Sequence, residues 1–416
     1  MKLYTKSFLI LAILFFSSPI FSNELSSNIS LFSIKSKSES WWQNNNNYGF
    51  DIRNNYLTSS IFWNNDFLYF ESDGFLDFQK EKVHFKYLNI NYIFNDNVNL
   101  KIGRYGRQFS EYLEDRLSSG SMIESLNAQP IPKIGLYYTS NFNKKSNFQL
   151  KLGMSHGQFD RNSYYKSAPY LHEKFLYLTK KENGTEFGIG LVHEAMWAGN
   201  ILIGKHPGKQ PSSFKDFLKV FISADGPLKE GEVHANALGN HLGIWDFYFI
   251  RELSAHKFKI YYQHIFEDTS SFRFANKSDG LWGFQYDNLK FKSGFLLEYL
   301  NTTNCCIDPP YQSDNYYYNY QYRSGWRYKN NIIGNPFVNP TNSIYVDLIK
   351  LVHLGFYIKT DEINLLILNS RKVNIEDNHK SMLKLEKKMN KSISLDILIF
   401  NDEKNTNYGL GVNYHF

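Results

Sequence analysis

Along most of the chain apolar and polar residues alternate one for one, in short runs separated by turn residues. Successive side chains of a strand point to opposite faces, so each run presents one apolar and one polar face. The last twelve residues, 405–416 (NTNYGLGVNYHF), put Tyr408, Leu410, Val412, Tyr414 and Phe416 on one parity, and Asn407, Gly409, Gly411, Asn413 and His415 on the other. Val98, Leu100 and Ile102 alternate with Asn99, Lys101 and Gly103 after a turn at Asn95, Asp96 and Asn97. Phe148, Leu150, Leu152 and Met154 alternate with Asn147, Gln149, Lys151 and Gly153 after 143–146; Val352, Leu354, Phe356 and Ile358 alternate with His353, Gly355, Tyr357 and Lys359. Asn183–Gly184 is the strongest hairpin signal, and residues 382–399 read as another strand pair hinged near Asn390.

This repetition predicts an all-β protein, a transmembrane outer-membrane β-barrel of antiparallel strands with lipid on the apolar face and a wet lumen on the other. A β-sandwich also alternates, but its outward faces seldom stay this apolar in a chain ending on an aromatic residue. At the usual strand-plus-connection length, the chain allows about 16–18 strands, enclosing a lumen wide enough for water unless something plugs it. The barrel is expected over residues 56–416. Residues 23–55, polar and carrying Asn44 to Asn47 after Trp41 and Trp42, read as a lead-in and candidate periplasmic plug. Two stretches break the rhythm. Residues 109–128 (FSEYLEDRLSSGSMIESLNA) have helical spacing and a Pro130-Ile131-Pro132 stop, which predicts an inward-folded loop or plug helix. Residues 301–340, polar and rich in Tyr, read as a long extracellular loop.

Composition sharpens this picture. Residues 1–22 read as a signal peptide, with Lys2 and Lys6 at the start, an apolar run over 8–16 and a small-residue exit over 17–22. That run is too short to span a bilayer. A mean hydropathy of -0.44 excludes a polytopic helical membrane protein. The 30 Tyr and 35 Phe suit the aromatic girdles of a barrel, and equally a compositional bias that also enriches Asn, Lys and Ile. The net charge of +6 is too diffuse for nucleic acid and would suit an acidic polysaccharide. Cys305 and Cys306 are adjacent, so any bridge between them would be the strained vicinal kind. No metal or cofactor is expected.

Candidate chemistry falls in three places. A glycan site needs aromatic faces for sugar rings and planar polar groups for hydroxyls and carboxylates. Residues 311–328 hold that mix in Tyr316, Tyr317, Tyr318, Tyr320, Tyr322, Arg323, Trp326, Arg327 and Tyr328; the alternative is a Tyr-rich loop packed on itself. Arg104 and Arg107 stand near Glu111, Glu114 and Asp115 and are read as holding the plug by salt bridges; Arg104 either snorkels at the rim or points inward. His193, Glu194 and Trp197, with Asn240, His241 and Asp246, are the nearest approach to a catalytic or metal constellation. They lack zincin spacing and are read as an internal polar network of the lumen. Gly-x-Ser-x-Gly and phosphate-loop motifs are absent from the sequence.

Three stretches, in order, resemble the capsule assembly Wzi family of outer-membrane proteins. The first is Gly103-Arg104 with Leu117 to Ser121 and Asn127 to Pro132. The second is HEAMWAG at 193–199 with NALGNHLGIWD at 236–246, and the third is YRSGWRYKNNIIGNP at 322–336. The resemblance implies a plugged barrel of about eighteen strands without catalytic chemistry, a lectin-like anchor or organiser for capsular polysaccharide. The enteric members carry an N-terminal helical bundle that has no counterpart in the short Asn-rich start here. Expected partners are capsular or exopolysaccharide, outer-membrane lipid and lipopolysaccharide, and the barrel assembly machinery during biogenesis, with the protein itself a monomer. A diffusion porin or sugar-uptake channel would share every strand signal, and a barrel lipase would need a serine with His193 or His241 as base.

Overall fold

The computed structural model describes residues 25–36, 40–141, 147–228, 235–305, 315–339, 348–373, 378–403 and 405–416; residues 1–22, read above as a signal peptide, and Cys306 lie outside them. Eighteen strands form one closed antiparallel sheet. In chain order they are β1 Leu25–Lys35, β2 Tyr56–Asn64, β3 Leu68–Asp77, β4 Lys82–Asn95, β5 Val98–Arg104, β6 Pro132–Asn141, β7 Phe148–Gln158, β8 Tyr170–Glu182 and β9 Thr185–Trp197. They continue with β10 Asn240–Leu253, β11 His256–Phe266, β12 Gly280–Asn288, β13 Ser293–Asn301, β14 Lys350–Lys359, β15 Ile363–Lys372, β16 His379–Lys388, β17 Ile393–Asp402 and β18 Asn405–His415. Each pairs with the next, and β18 closes onto β1 from Asn28↔His415 to Lys35↔Tyr408. Among the described residues three short helices lie in connections: α1 Trp41–Asn44, α2 Phe214–Phe221 and α3 Thr269–Phe272. No helix among the described residues is long and apolar enough to cross a membrane.

The alternation sorts as the barrel requires. On β18, Tyr408, Leu410, Val412 and Tyr414 are exposed on the outside while Asn407, Gly411 and Asn413 are buried within. Several inward glycines let a ring from the neighbouring strand lie flat across the wall, Tyr177 over Gly190 and Tyr261 over Gly283 among them. A larger residue there would push that ring off the wall.

Tight turns such as 96–97, 183–184 and 254–255 leave one end, which also holds the start of β1 and the end of β18. The long connections 36–55, 105–131, 198–239 and 302–349 all leave the other. Barrels of this kind put short turns in the periplasm and long loops outside, so the long-loop end faces out.

Two expectations are corrected here. The wall begins with β1 and not at Tyr56, because outward Leu25, Ile29 and Leu31 are interspersed with Ser27 and Ser33, which dilutes the alternation. Residues 40–55 follow β1 at its outer end and fold into the barrel from the extracellular side, the reverse of a periplasmic plug. Residues 109–128 take the inward-folded loop alternative, without a helix. Ser118, Ser121 and Ser125 each accept, through the side-chain oxygen, from the backbone N–H two residues on (Gly120, Ile123 and Asn127) at 3.0, 3.3 and 3.1 Å. Serines that bond their own backbone in this way compete with the helix ladder.

Candidate functional site: a sealed lumen under a basic mouth

Three inserted segments knit together inside the outer half of the barrel. Residues 105–131 contribute Phe109, Leu117, Met122 and Ile123, all essentially inaccessible. Residues 315–339 bond to them: Ser125 N–H donates to Ile333 O (2.8 Å), Tyr317 Oη to Met122 O (2.7 Å) and Asn335 Nδ2 to Gly120 O (2.5 Å). From residues 40–55, Asn46 Nδ2 donates to Ser119 O (3.1 Å), and Trp41 stacks on Phe337 at 4.0 Å between ring centroids.

Inward polar residues of the wall hold this plug. Glu298 accepts from Ser118 Oγ (2.6 Å), from Ser119 N–H (2.6 Å) and from Tyr261 Oη. Asp246 accepts from Ser110 Oγ at 2.5 Å and from the hydroxyls of Tyr112 and Tyr177. Gln263 Oε1 accepts from Met122 N–H (2.9 Å), and His353 Nε2 lies 2.8 Å from Leu117 O. Buried polar groups are costly unless paired; here the wall supplies the partners that the plug's turns lack. Glu298, Gln263 and His353 were not singled out by motif, although lumen parity marks them as polar residues on inward positions.

The predicted network residues divide. Arg107 bonds as expected, with Nη2 2.8 Å from Asp115 Oδ1 and Nη1 donating to Glu124 O (2.9 Å). Arg104 makes no ion pair among the described residues; at the rim it donates to Pro130 O (2.6 Å) and Tyr328 Oη (3.4 Å). Glu194, Asn240 and Asp246 face inward, and Asn240 Oδ1 accepts from Asn319 Nδ2 of the 315–339 segment at 3.2 Å. The carboxylates of Glu124, Glu173 and Glu194 have oxygens within 4.8 Å of one another. Lys133 Nζ stands among them, 3.2 Å from Glu124 and 2.8 Å from Glu173. Burial pushes the Glu124 carboxyl up, with Lys133 working against that rise.

His193 and His241 do not belong to the lumen, which corrects the reading of one internal network. Neighbours on a strand point to opposite faces, so His193 and Glu194 cannot share a site, and His241 pairs across β9–β10 with outward Ala195. The two imidazoles lie 2.9 Å apart beneath α2, and Ser223 Oγ is 3.1 Å from His193 Nε2. His241 Nε2 faces Leu238 O at 3.1 Å and so carries its proton, which leaves Nδ1 to accept from His193 Nε2. In this tautomer that nitrogen donates and does not take a proton from Ser223.

At the mouth, Tyr322, Trp326 and Tyr328 are buried, Trp326 completely. Trp326 packs edge-on to Phe159, Tyr322 Oη donates to Ala198 O (3.2 Å), and the neighbouring Ser324 meets Tyr165 Oη at 2.5 Å. These rings fasten the loop to residues 159–169 and 198–239 and are withdrawn from stacking on a sugar. Tyr318 is half-buried, and Tyr320, which packs edge-on to it, is 45% exposed. Arg323 is exposed; Arg327, half-buried, donates to Asn339 Oδ1 at 2.7 Å. Lys166, Lys205, Lys209 and Lys329 are exposed in the same three connections. Burial pulls the Arg327 pKa down, and burial followed by the nearby Arg104 does the same to Lys329. The mouth is thus a crowded cationic surface carrying an exposed Tyr320 beside a half-buried Tyr318.

A plugged eighteen-stranded outer-membrane barrel is the class these features define. The chain belongs to the family of the capsule assembly protein Wzi, whose model matches residues 93–408. That membership gives it a role in capsule assembly at the outer membrane. Among solved structures it is similar to Salmonella typhi OmpF in complex with daunomycin (8% identity, 95% of this chain and 98% of that one, TM-score 0.43). It is also similar to a triple mutant of Rhodopseudomonas blastica porin (9% identity, 94% and 99%, TM-score 0.39). Nothing about function is drawn from such distant likenesses. No curated protein matches the chain.

Proposed function

We propose that the protein is a non-enzymatic, monomeric anchor that holds an acidic capsular or surface polysaccharide at its extracellular mouth. The observation that carries this reading is the combination of a lumen sealed by hydrogen-bonded segments with a rim of cations over it. Tyr318 and Tyr320 offer faces for sugar rings, and Arg323 and Arg327 offer planar donors for uronate or other acidic groups. Contacts of this kind are individually weak. A long glycan crossing many barrels gains by multivalency, so retention does not require tight binding at any one mouth. Asp246 and Glu298 serve this function by fixing the plug and hence the loops above it.

The test is the division of polysaccharide between cells and medium in strains with and without the gene. Glycan moving into the medium on deletion, with total synthesis unchanged, supports anchoring. An unchanged division overturns it.

A further inference from the structure

The wall carries a second structured surface, on its outside. At the extracellular ends of β7, β8, β9 and β10, the outward positions that should meet lipid are His156, His172, Lys174, His193 and His241. Ile134 of β6, paired with His156, is apolar and 49% exposed, so the lipid-facing band reaches this level. Polar side chains are destabilising on that face, and α2 lies over them. Phe217 packs on His156 and His172 (5.3 Å each), and Phe221 packs on His172 (5.4 Å) and under Lys174 Nζ (4.0 Å). Val220 is buried with Ala195 and Trp197. Ser213 and Asp216 close the helix start with a capping box, so α2 is a defined element.

The rest of α2 is amphipathic in a second sense. At about 100° per residue, Phe214, Leu218 and the C-cap residue Ile222 form a stripe beside the packed face. They are 75%, 48% and 71% exposed. Lys215 and Lys219 follow immediately around the helix; Lys219 Nζ donates once, to Asp225 O (2.9 Å). An apolar stripe continuous with the lipid band and edged by ammonium groups matches an anionic lipid lying in the leaflet. We propose that α2 is a lipid-binding element. Its Phe214–Leu218–Ile222 stripe sits among acyl chains of the outer leaflet, and Lys215 and Lys219 hold the headgroup phosphate of a phosphorylated lipid. This would fix the height and rotation of the barrel relative to the surface independently of any glycan at the mouth.

The experiment places a photoreactive benzoylphenylalanine at Phe214 in the full-length protein in outer membranes, and identifies adducts by mass. The same probe at Leu176, exposed on the wall below, is the positive control for lipid. A phosphorylated-lipid adduct at 214 that falls about fivefold with Lys215→Gln is expected, since one lysine near an anionic surface is worth about that factor. The control variant Lys290→Gln, on a periplasmic turn, should leave the yield unchanged, and folding is checked by heat-modifiable gel mobility. An adduct to protein, no adduct at 214 while 176 labels lipid, or a lipid adduct indifferent to Lys215→Gln overturns the proposal.

Discussion

Strands β8, β9 and β10 carry buried polar residues on both faces, and the two sides are covered differently. Inside, Asp246 accepts from the plug hydroxyls of Ser110 and Tyr112, while Glu173 pairs with Lys133 and Ser155 of the wall and Lys133 reaches on to Glu124 of the plug. Outside, His172 meets the rings of Phe217 and Phe221 on a short helix, and His193 meets His241 and the Ser223 hydroxyl just past that helix. The comparison shows that polarity on a barrel strand does not by itself name the lumen. It names a place that some other segment must cover, and the chemistry of the cover decides whether it locks the structure or only shields it.

Breaking the inner cover should have the largest effect. Glu298→Ala leaves two hydroxyls and a backbone N–H without their acceptor, and should cost about 3–5 kcal/mol, read as a lower unfolding midpoint. The wild type should be silent in planar bilayers, with transient conducting steps in the variant; a steady large conductance in the wild type would contradict a sealed lumen. On the outer cover, Phe217→Ala should cost about 2 kcal/mol, less than a fully buried phenylalanine because Phe217 is only partly enclosed. It should leave the bilayer recording silent, and conductance from it would mean that the two covers are coupled. The double substitution Arg323→Gln with Arg327→Gln touches neither cover. It should reduce retained polysaccharide by about tenfold, at roughly 0.5–1 kcal/mol for each exposed ionic contact, without moving the midpoint.

The smallest effect is a pH dependence at Asp279, just before β12. Its carboxylate accepts from Asn304 N–H, Asn304 Nδ2 and Tyr316 Oη, yet burial outweighs these bonds and raises its pKa. The folded state therefore holds the proton to higher pH than the unfolded chain, whose value is about 3.9. Stability from this group is fully present below that value and is lost as pH rises through the raised one. The wild type should lose ground relative to Asp279→Asn across that window, and parallel midpoint curves would remove Asp279 as the cause.

The alternation in β18, β5, β7 and β14 was legible because a barrel wall repeats one constraint, lipid outside and water or plug inside, at every second residue. Of the expected internal network, Asp246 and Glu194 do face inward. The alternation failed at β1, where outward serines blur the pattern, and at His193 and His241, where parity alone would have pointed outward had α2 been foreseen as a cover. The mouth was misjudged for a related reason. Tyr322, Trp326 and Tyr328 have the composition of a sugar platform, but a ring serves equally to nail a loop down.

The sequence by itself determined the barrel, its size and its outer-membrane character, because these follow from period, length and composition. Only the tertiary structure decided how the inserted segments join inside the lumen, which aromatics remain at the surface and that a helix lies against the outside. Those depend on which distant segments meet, Ser118 with Glu298 or Phe217 with His156, and such meetings leave no local period to read.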